Sequence, residues 1–225
     1  MKKNVFQLFL VAVIAITAAS CKNERQNQTD SQEAQDALSA SESAIVYNVD
    51  TNNSTIEWKG RKPTGTHTGT INIASGTINT TDDNTIESGD FTINMKSIVV
   101  TDLAPGEGKE DLEAHLMGTV KEKEGDFFNV NKYPSSTFEV TGVRVSDGKT
   151  WLQGNLAMKD EIRSIEFPVN VSLNGDKMML QSEPFNIDRT QWGVNYGSKS
   201  VFDNLGDKFI NDDMEITIIV EANKA

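Results

Sequence analysis

The stretch GDFFNVNKYPSSTFEV, residues 125–140, decides the fold. It brings Phe127, Phe128 and Tyr133 together just before a turn at Pro134, and a strand follows the turn. Large aromatic rings are stable when buried, whereas a proline has no backbone N–H and is excluded from a central strand. The stretch therefore predicts an aromatic plug that a hollow or layered structure receives.

Apolar residues follow a period of two along most of the chain after Ala44. The alternating positions are Ile45, Tyr47 and Val49; Ile56 and Trp58; Ile71 and Ile73; Phe91, Ile93 and Met95; Phe138 and Val140; 165–173; Met178 and Leu180; Phe185 and Ile187; and 214–220. Short turns rich in Gly, Asn and Asp separate these segments. The pattern predicts an all-β protein whose antiparallel sheet closes on itself or folds over. Helix is scarce, with candidates at Lys109–Met117 and at residues 199–205.

The charge of the chain limits the classes of molecule that it can bind. The formal net charge is -12 at pH 7, and no run of Lys and Arg interleaved with aromatic residues offsets it. A surface of this sign repels phosphate backbones, so nucleic acid is not expected as a partner.

The N-terminus has the features of an export signal. Lys2 and Lys3 precede an apolar run over residues 8–16, and small residues at 18–20 precede Cys21, which is the only cysteine. This arrangement resembles a bacterial lipobox, so residues 1–20 are a predicted signal peptide and Cys21 is the predicted lipidation site. The alternative is an ordinary secretory signal that leaves a free cysteine.

Residues 22–44 separate the signal from the strands. They are rich in Asn, Gln, Ser, Ala, Glu and Asp and contain no aromatic residue. Such a segment cannot bury enough apolar surface to offset the cost of ordering it. We therefore predict a disordered tether over 22–44 and a folded domain over 45–225.

Short motifs recur in a fixed order through this domain. They are Tyr47-Asn48-Val49-Asp50, Gly65-Thr66-His67-Thr68-Gly69 with Gly76, His115-Leu116, Asp126-Phe127-Phe128-Asn129-Val130, Lys132-Tyr133-Pro134, Thr137-Phe138 and Gly154-Asn155-Leu156. In this order they resemble the YceI-like family of lipocalin-like, polyisoprenoid-binding periplasmic proteins. The resemblance implies an extended eight-stranded antiparallel barrel with one or two short helices and a lipid-sized cavity.

Two segments depart from the family pattern. Met158-Lys159-Asp160-Glu161 occupies the position of a small Lys-Gly turn, and a charged insert at residues 121–124 separates the short helix from the aromatic stretch.

The resemblance also points to the residues that would line the cavity. Met and aromatic side chains at the inward phase suit an adaptable lining, although filling a dry core is the alternative for each of them. Arg189 would meet a polar head group or form a structural cation–π pair with its aromatic neighbours. The candidate ligand-binding residues are Trp58, Phe91, Met95, Phe127, Phe128, Tyr133, Phe138, Met158, Phe167, Arg189, Trp192 and Tyr196.

Catalytic motifs are absent from the sequence. His67 and His115 are the only histidines, and neither an HExxH pattern nor a Gly-x-Ser-x-Gly elbow occurs. We therefore predict no catalytic residue, no metal and no cofactor.

The sequence thus favours a membrane-tethered protein of the cell envelope, facing the periplasm or the surface. Its predicted role is to carry or store an isoprenoid-type or other long-chain amphiphilic lipid. The alternatives are an enzyme that uses His67 or His115 with an acid, and a surface module for adhesion or stress response. The sequence is also compatible with a homodimer.

Overall fold

The computed structural model describes residues 28–225. The predicted signal peptide and Cys21 lie outside these residues. Within them, no helix is long and apolar enough to cross a membrane.

Twelve strands and one α-helix form the described part of the chain. The strands are β1 Gln32–Glu33, β2 Ile45–Val49, β3 Thr55–Lys62, β4 Gly65–Thr80, β5 Ile86–Asn94, β6 Val99–Val100, β7 Ser135–Ser146, β8 Lys149–Met158, β9 Glu161–Asn174, β10 Lys177–Ser182, β11 Phe185–Asp188 and β12 Asp213–Lys224. The helix α1 spans Lys109–Met117, and short 3₁₀ turns lie at Met95–Ser97, Arg189–Trp192 and Gly206–Lys208.

The strands close into an antiparallel ring of 8. Strands β2 and β3 together occupy one position, because both pair with β4 and β12. Strands β10 and β11 share another position along β12. The remaining positions are β4, β5, β7, β8, β9 and β12, and β8 pairs with β9 to complete the ring. The predicted eight-stranded lipocalin-like barrel is confirmed.

The two ends of the barrel differ in how they are filled. The closed end, which carries the short turns after β4, β7 and β9, contains a packed core in which Ile78, Val140, Met178 and Val220 are 1–2% exposed. The open end carries the turns after β3 and β8, together with the long loops at residues 95–134 and 189–212. Any interior space must therefore open towards these loops.

Glycines on β4 let aromatic rings lie flat against the wall. Trp58 pairs with Gly69 across the strands, and a Cβ on Gly69 would come within 2.4 Å of the Trp58 ring. Phe91 pairs with Gly76, where a Cβ would lie 2.8 Å from the Phe91 ring. These glycines provide close approach for two predicted cavity residues.

Residues 28–44, which we name the belt, cross the outside of the barrel. Thr29 is buried, its N–H donates to Asn186 O at 2.9 Å, and its hydroxyl donates to Glu166 O at 2.8 Å. Strand β10 stops pairing with β9 at Ser182, which leaves a gap between β9 and β11. The two hydrogen bonds of Thr29 bridge this gap.

The belt then continues across β8 and β7. Strand β1 pairs with β9, and Gln35 exchanges hydrogen bonds with Asn155 at 3.0 and 2.6 Å. The N–H of Leu38 donates to Val140 O. This placement differs from the disordered tether expected over residues 22–44. Hydrogen bonds to the barrel wall, rather than apolar burial, hold the described part of that segment.

Candidate functional site

Three chambers follow one another along the barrel interior. The mouth chamber at the open end has a volume of about 340 Å³, the middle chamber about 90 Å³ and the inner chamber about 30 Å³. The mouth and middle chambers share Ile71, Phe128, Met214 and Ile216 in their walls. The middle and inner chambers share Ile56, Ile93, Phe138, Phe167 and Ile218. The chambers therefore form one tapering path.

The mouth chamber is the only one of these three with many polar wall residues. Its walls come from β3 and β4 (Trp58, His67, Ile71), α1 (Leu112, His115, Leu116), the aromatic plug (Phe127, Phe128), the loop after β11 (Arg189, Val194, Tyr196, Lys208, Ile210) and β12 (Met214, Ile216). A volume of 340 Å³ falls within the range of about 300–1,000 Å³ that is typical of small-molecule sites. This chamber can accept a ligand as it stands.

The middle and inner chambers are almost wholly apolar, since Ser136 is the one polar residue in their walls. Aromatic rings narrow the path: Phe138 and Phe167 have centroids 5.6 Å apart, and Phe167 stacks on Phe185 at 4.4 Å. The inner chamber, at about 30 Å³, holds little more than a water molecule. A ligand can extend into the inner chamber only if these aromatic side chains rotate.

The end of α1 delivers the aromatic plug to the mouth chamber. Gly118 ends the helix with a φ of +70°, and the returning chain bonds to the last turn through Phe128 N–H to Leu116 O at 3.1 Å. The Nζ of Lys159 donates to Phe127 O at 3.0 Å and to Gly193 O at 2.9 Å. Phe127 and Phe128 are each 7% exposed, so both rings are buried as the sequence predicts.

Lys159 explains the first departure from the family pattern. It takes the left-handed position, with a φ of +55°, in a tight turn between β8 and β9. Burial lowers the pKa of Lys159, and its two carbonyl acceptors hold the side chain across the open end. The departing sequence therefore still forms the hairpin, and it adds a link between the plug and the loop after β11.

His115 joins α1 to an aromatic cluster over the mouth. Its Nε2 lies 2.6 Å from Asp126 Oδ2, and its ring meets Phe127 and Tyr196 edge-on with centroids 5.0 and 4.9 Å away. Tyr196 is 41% exposed, so this cluster reaches from the chamber wall to solvent. It covers one side of the entrance.

His67 makes a second histidine–aspartate pair at the mouth. Its Nδ1 lies 2.9 Å from Asp102 Oδ2, and Thr68 N–H donates to the other carboxylate oxygen at 2.8 Å. Burial alone would raise the pKa of Asp102, but the hydrogen bonds from Thr68 and His67 hold this pKa below its ordinary value. Asp102 is therefore a firm acceptor that fixes the His67 ring.

Comparison with known proteins identifies the fold family. The profile of the YceI-like domain matches residues 47–222. The chain belongs to the YceI-like family. BcnA of Burkholderia cenocepacia is similar in structure, with a TM-score of 0.60 and 19% identity over 78% of this chain and 99% of that chain. A polyisoprenoid binding domain from Saccharophagus degradans, implicated in plant cell wall breakdown, has a TM-score of 0.55 and 14% identity over 80% of this chain and 99% of that chain. A search of curated protein sequences found no match.

Arg189 acts as a clamp in this YceI-like barrel. It is 4% exposed and donates to Asn211 O at 3.1 Å, Val194 O at 2.5 Å and Ile210 O at 3.2 Å. Burial lowers its pKa, and the nearby carboxylate of Asp212, at 3.7 Å, opposes the shift. All of these bonds fold the loop after β11 onto itself, so Arg189 shapes the wall of the mouth chamber.

The chambers bring together most of the predicted ligand-binding residues. Trp58, Phe127, Phe128, Arg189 and Tyr196 line the mouth, whereas Phe91, Met95, Phe138, Met158 and Phe167 line the deeper chambers.

Two of the predicted residues lie outside all three chambers. Tyr133 is at the surface beside Lys132 and Asp160. Trp192 is fully buried, and its Nε1 donates to Leu156 O at 2.9 Å. Alternation and aromaticity could not show on which side of the wall these two rings lie.

The sequence did not single out the indole N–H of Trp58 or the lysines at the mouth. The Trp58 Nε1 is buried without a hydrogen-bond partner among the described residues, although Trp58 lines the chamber. Lys62 and Lys208 also line it and have no ion-pair partner in the part of the chain described. Arg61, by contrast, is paired with Glu215 at 2.6 Å. Among residues 28–225, the YceI-like mouth therefore offers one N–H donor without a partner and two lysines without an ion pair.

Metal binding finds no support in the geometry. Over residues 28–225, no three or more His, Cys, Asp or Glu side chains are placed to hold a metal ion.

Proposed function

We propose that this YceI-like protein binds an isoprenoid-type or other long-chain amphiphilic lipid in the three chambers, and carries or stores it at the cell envelope. The observation that carries the proposal is the series of three adjoining chambers, of which the inner two are almost wholly apolar, from the open mouth towards the closed end. The polyisoprenoid binding domain with a similar fold supports the same class of ligand.

The chain of the ligand supplies the affinity in this proposal. Burying one CH₂ group contributes about 0.8 kcal/mol, so a five-carbon isoprene unit contributes roughly 4 kcal/mol before any cost. Association itself costs about 4–15 kcal/mol. A ligand with several units is therefore required for tight binding, and an adaptable lining of Met and aromatic residues accommodates its length.

The polar end of the ligand remains at the mouth. The unpaired N–H of Trp58 offers a hydrogen bond to a ligand oxygen, and Lys62 and Lys208 favour an oxygen-rich or anionic group near the rim. The deeper chambers offer no comparable groups. The amphiphile therefore enters tail first.

Mass spectrometry of an organic extract of the purified protein tests the proposal. The parent protein should release a long-chain amphiphile. Ile71→Trp blocks the junction between the mouth and middle chambers and should release much less. Ile162→Trp is the matched control, because Ile162 is 54% exposed on the outer face and should leave the extract unchanged. A clean extract from the parent protein would contradict lipid carriage.

The location at the envelope rests on the N-terminal sequence. Lipidation of Cys21 would anchor the chain, and residues 22–27 would then join the anchor to the belt. Labelled fatty acid should enter the parent chain and not Cys21→Ser, and the variant should leave the membrane fraction. Equal labelling of both chains would rule out this anchor.

A catalytic role is the second candidate, because both His–Asp pairs border the mouth chamber. No Ser, Thr or Cys of residues 28–225 lines this chamber, and the role assigned to a His–Asp pair in this candidate is to activate water as a general base. A His67→Ala, His115→Ala double variant that still binds and releases unmodified lipid would exclude this role. Accumulation of an uncleaved lipid in the variant alone would support it.

A further inference from the structure

A second large cavity lies outside the barrel, beneath the belt. This outer cleft has a volume of about 320 Å³, close to that of the mouth chamber. Belt residues Gln28 and Gln32 form one side, and the outward faces of β8 and β9 form the floor. It shares no wall residue with the mouth chamber, and its only wall residues in common with the middle chamber are Ile165 and Phe185.

The floor of the outer cleft contains an aromatic platform. Trp151 lies opposite Pro168 in the β8–β9 register, and both residues line the cleft. The guanidinium of Arg144 covers part of the indole, 4.8 Å from the ring centroid, but Arg144 is not part of the cleft wall. The indole is thus supported from β7 and presents its remaining apolar surface to the cleft.

Three glutamine amides surround this platform. The Oε1 of Gln28 is buried without a hydrogen-bond partner, and the side chains of Gln32 and Gln153 make no hydrogen bond within residues 28–225. A buried acceptor without a partner is unfavourable, and a donor on a ligand would relieve this cost. Each amide offers both a donor and an acceptor.

The charged groups at the outer cleft largely neutralise each other. Lys149 Nζ contacts Glu183 at 2.7 Å, and Arg144 binds Glu166 with two bonds of 2.8 and 2.5 Å. Asp30 lines the cleft without an ion-pair partner in the described chain. The remaining negative charge disfavours anions, and the amides of the cleft offer hydrogen bonds to a neutral ligand.

We propose that the outer cleft binds a neutral saccharide unit. A pyranose ring has an apolar C–H face, which matches the indole of Trp151, and a rim of hydroxyl groups, which match the amides of Gln28, Gln32 and Gln153. The site is complete only when the belt is docked, because two of these amides come from it. This activity goes beyond lipid binding and does not depend on it.

Saturation-transfer NMR on the full chain tests the proposal, with cellobiose, maltose and N,N′-diacetylchitobiose as neutral probes. At least one probe should bind, and Trp151→Ala should weaken it at least tenfold, whereas Trp151→Phe should retain most binding. Gln153→Ala should also weaken binding. Its control, Gln181→Ala, changes an exposed amide on β10 outside the cleft and should have no effect.

The outcomes separate this site from the barrel interior. Lipid recovered from Trp151→Ala should equal that from the parent protein, because Trp151 lines none of the three chambers. Absence of binding by all three probes would overturn the saccharide site. Binding that survives both Trp151→Ala and Gln153→Ala would overturn it as well.

Discussion

In the proposed lipid complex, Trp58 connects the apolar path to the polar group of the ligand. Its ring lies against Gly69 and lines the mouth chamber, and its N–H is buried without a hydrogen-bond partner among residues 28–225. One hydrogen bond contributes about 0.5–1.5 kcal/mol, so Trp58→Phe should weaken a prenol roughly three- to tenfold. A hydrocarbon of the same length should bind both proteins alike in a competition assay. An equal loss of affinity for the prenol and the hydrocarbon would show that Trp58 contributes only through packing.

Glu215 gives the barrel a predictable response to acid. Hydrogen bonds from Arg61 and then Lys59 lower its pKa, so its contribution to stability is present above the ordinary glutamate range and is lost as the pH falls through the folded pKa. Because the group is partly exposed, Glu215→Gln should lower the free energy of unfolding by about 1 kcal/mol at neutral pH.

Denaturant titrations across pH test this contribution. The difference in the free energy of unfolding between the parent protein and Glu215→Gln should disappear as the solution becomes acidic. Glu57→Gln is the control, since Glu57 is exposed and unpaired within the described residues. A gap that stays constant with pH would show that Glu215 acts through packing instead of charge.

Individual side chains also mark the limit of sequence reasoning. The inward phase of Phe138 and Phe167 follows from alternation along a strand, because successive side chains point to opposite faces. Tyr133 and Trp192 lie in turns, where no such period applies, and their positions depend on contacts with Asp160 and Leu156 that are distant in sequence. Such partners are visible only in the folded chain.

At the scale of elements, the helix α1 sets the position of the plug. A Cβ on Gly118 would lie 2.5 Å from Glu124 O and 2.9 Å from Asn129 Cα, in a residue whose φ is positive. Gly118→Ala should therefore reduce the free energy of unfolding and also the amount of lipid recovered. Gly106→Ala is the control: its φ is positive too, but no atom lies within 4 Å.

The difference in stability between Gly118→Ala and Gly106→Ala measures the effect of steric crowding at Gly118. Left-handed backbone costs an L residue about 1–2 kcal/mol in both, and overpacking should add about 1–3 kcal/mol at Gly118 alone. Calorimetry of both variants measures this difference. Equal destabilisation would mean that the chain after α1 moves freely and does not hold the plug.

The strands and the belt were predictable to different degrees. Period-two alternation predicted the strands because one face of each is buried. The belt has no such pattern, since its order comes from hydrogen bonds that it donates to the backbone carbonyls of Asn186, Glu166 and Val140. Composition measures only what a segment can bury, so it could not reveal a segment held by donors and acceptors on the barrel wall.

At the scale of the whole molecule, the barrel combines a packed closed end with a tapering path from the open end. The resemblance anticipated the hollow interior, but the degree of taper depends on the rings of Phe138, Phe167 and Phe185, which no short motif encodes. The acidic chain, at a net charge of -12, nonetheless places at the entrance Lys62 and Lys208, which have no ion-pair partner within residues 28–225.

Titration of the delipidated protein with prenols of increasing length tests the central claim most directly. Each isoprene unit that enters should strengthen binding by at least roughly tenfold, until the chambers are filled and the dissociation constant levels off. Ile71→Trp should level off at a shorter chain than the parent protein. One dissociation constant for all lengths, or identical curves for both proteins, would contradict an apolar path inside the barrel.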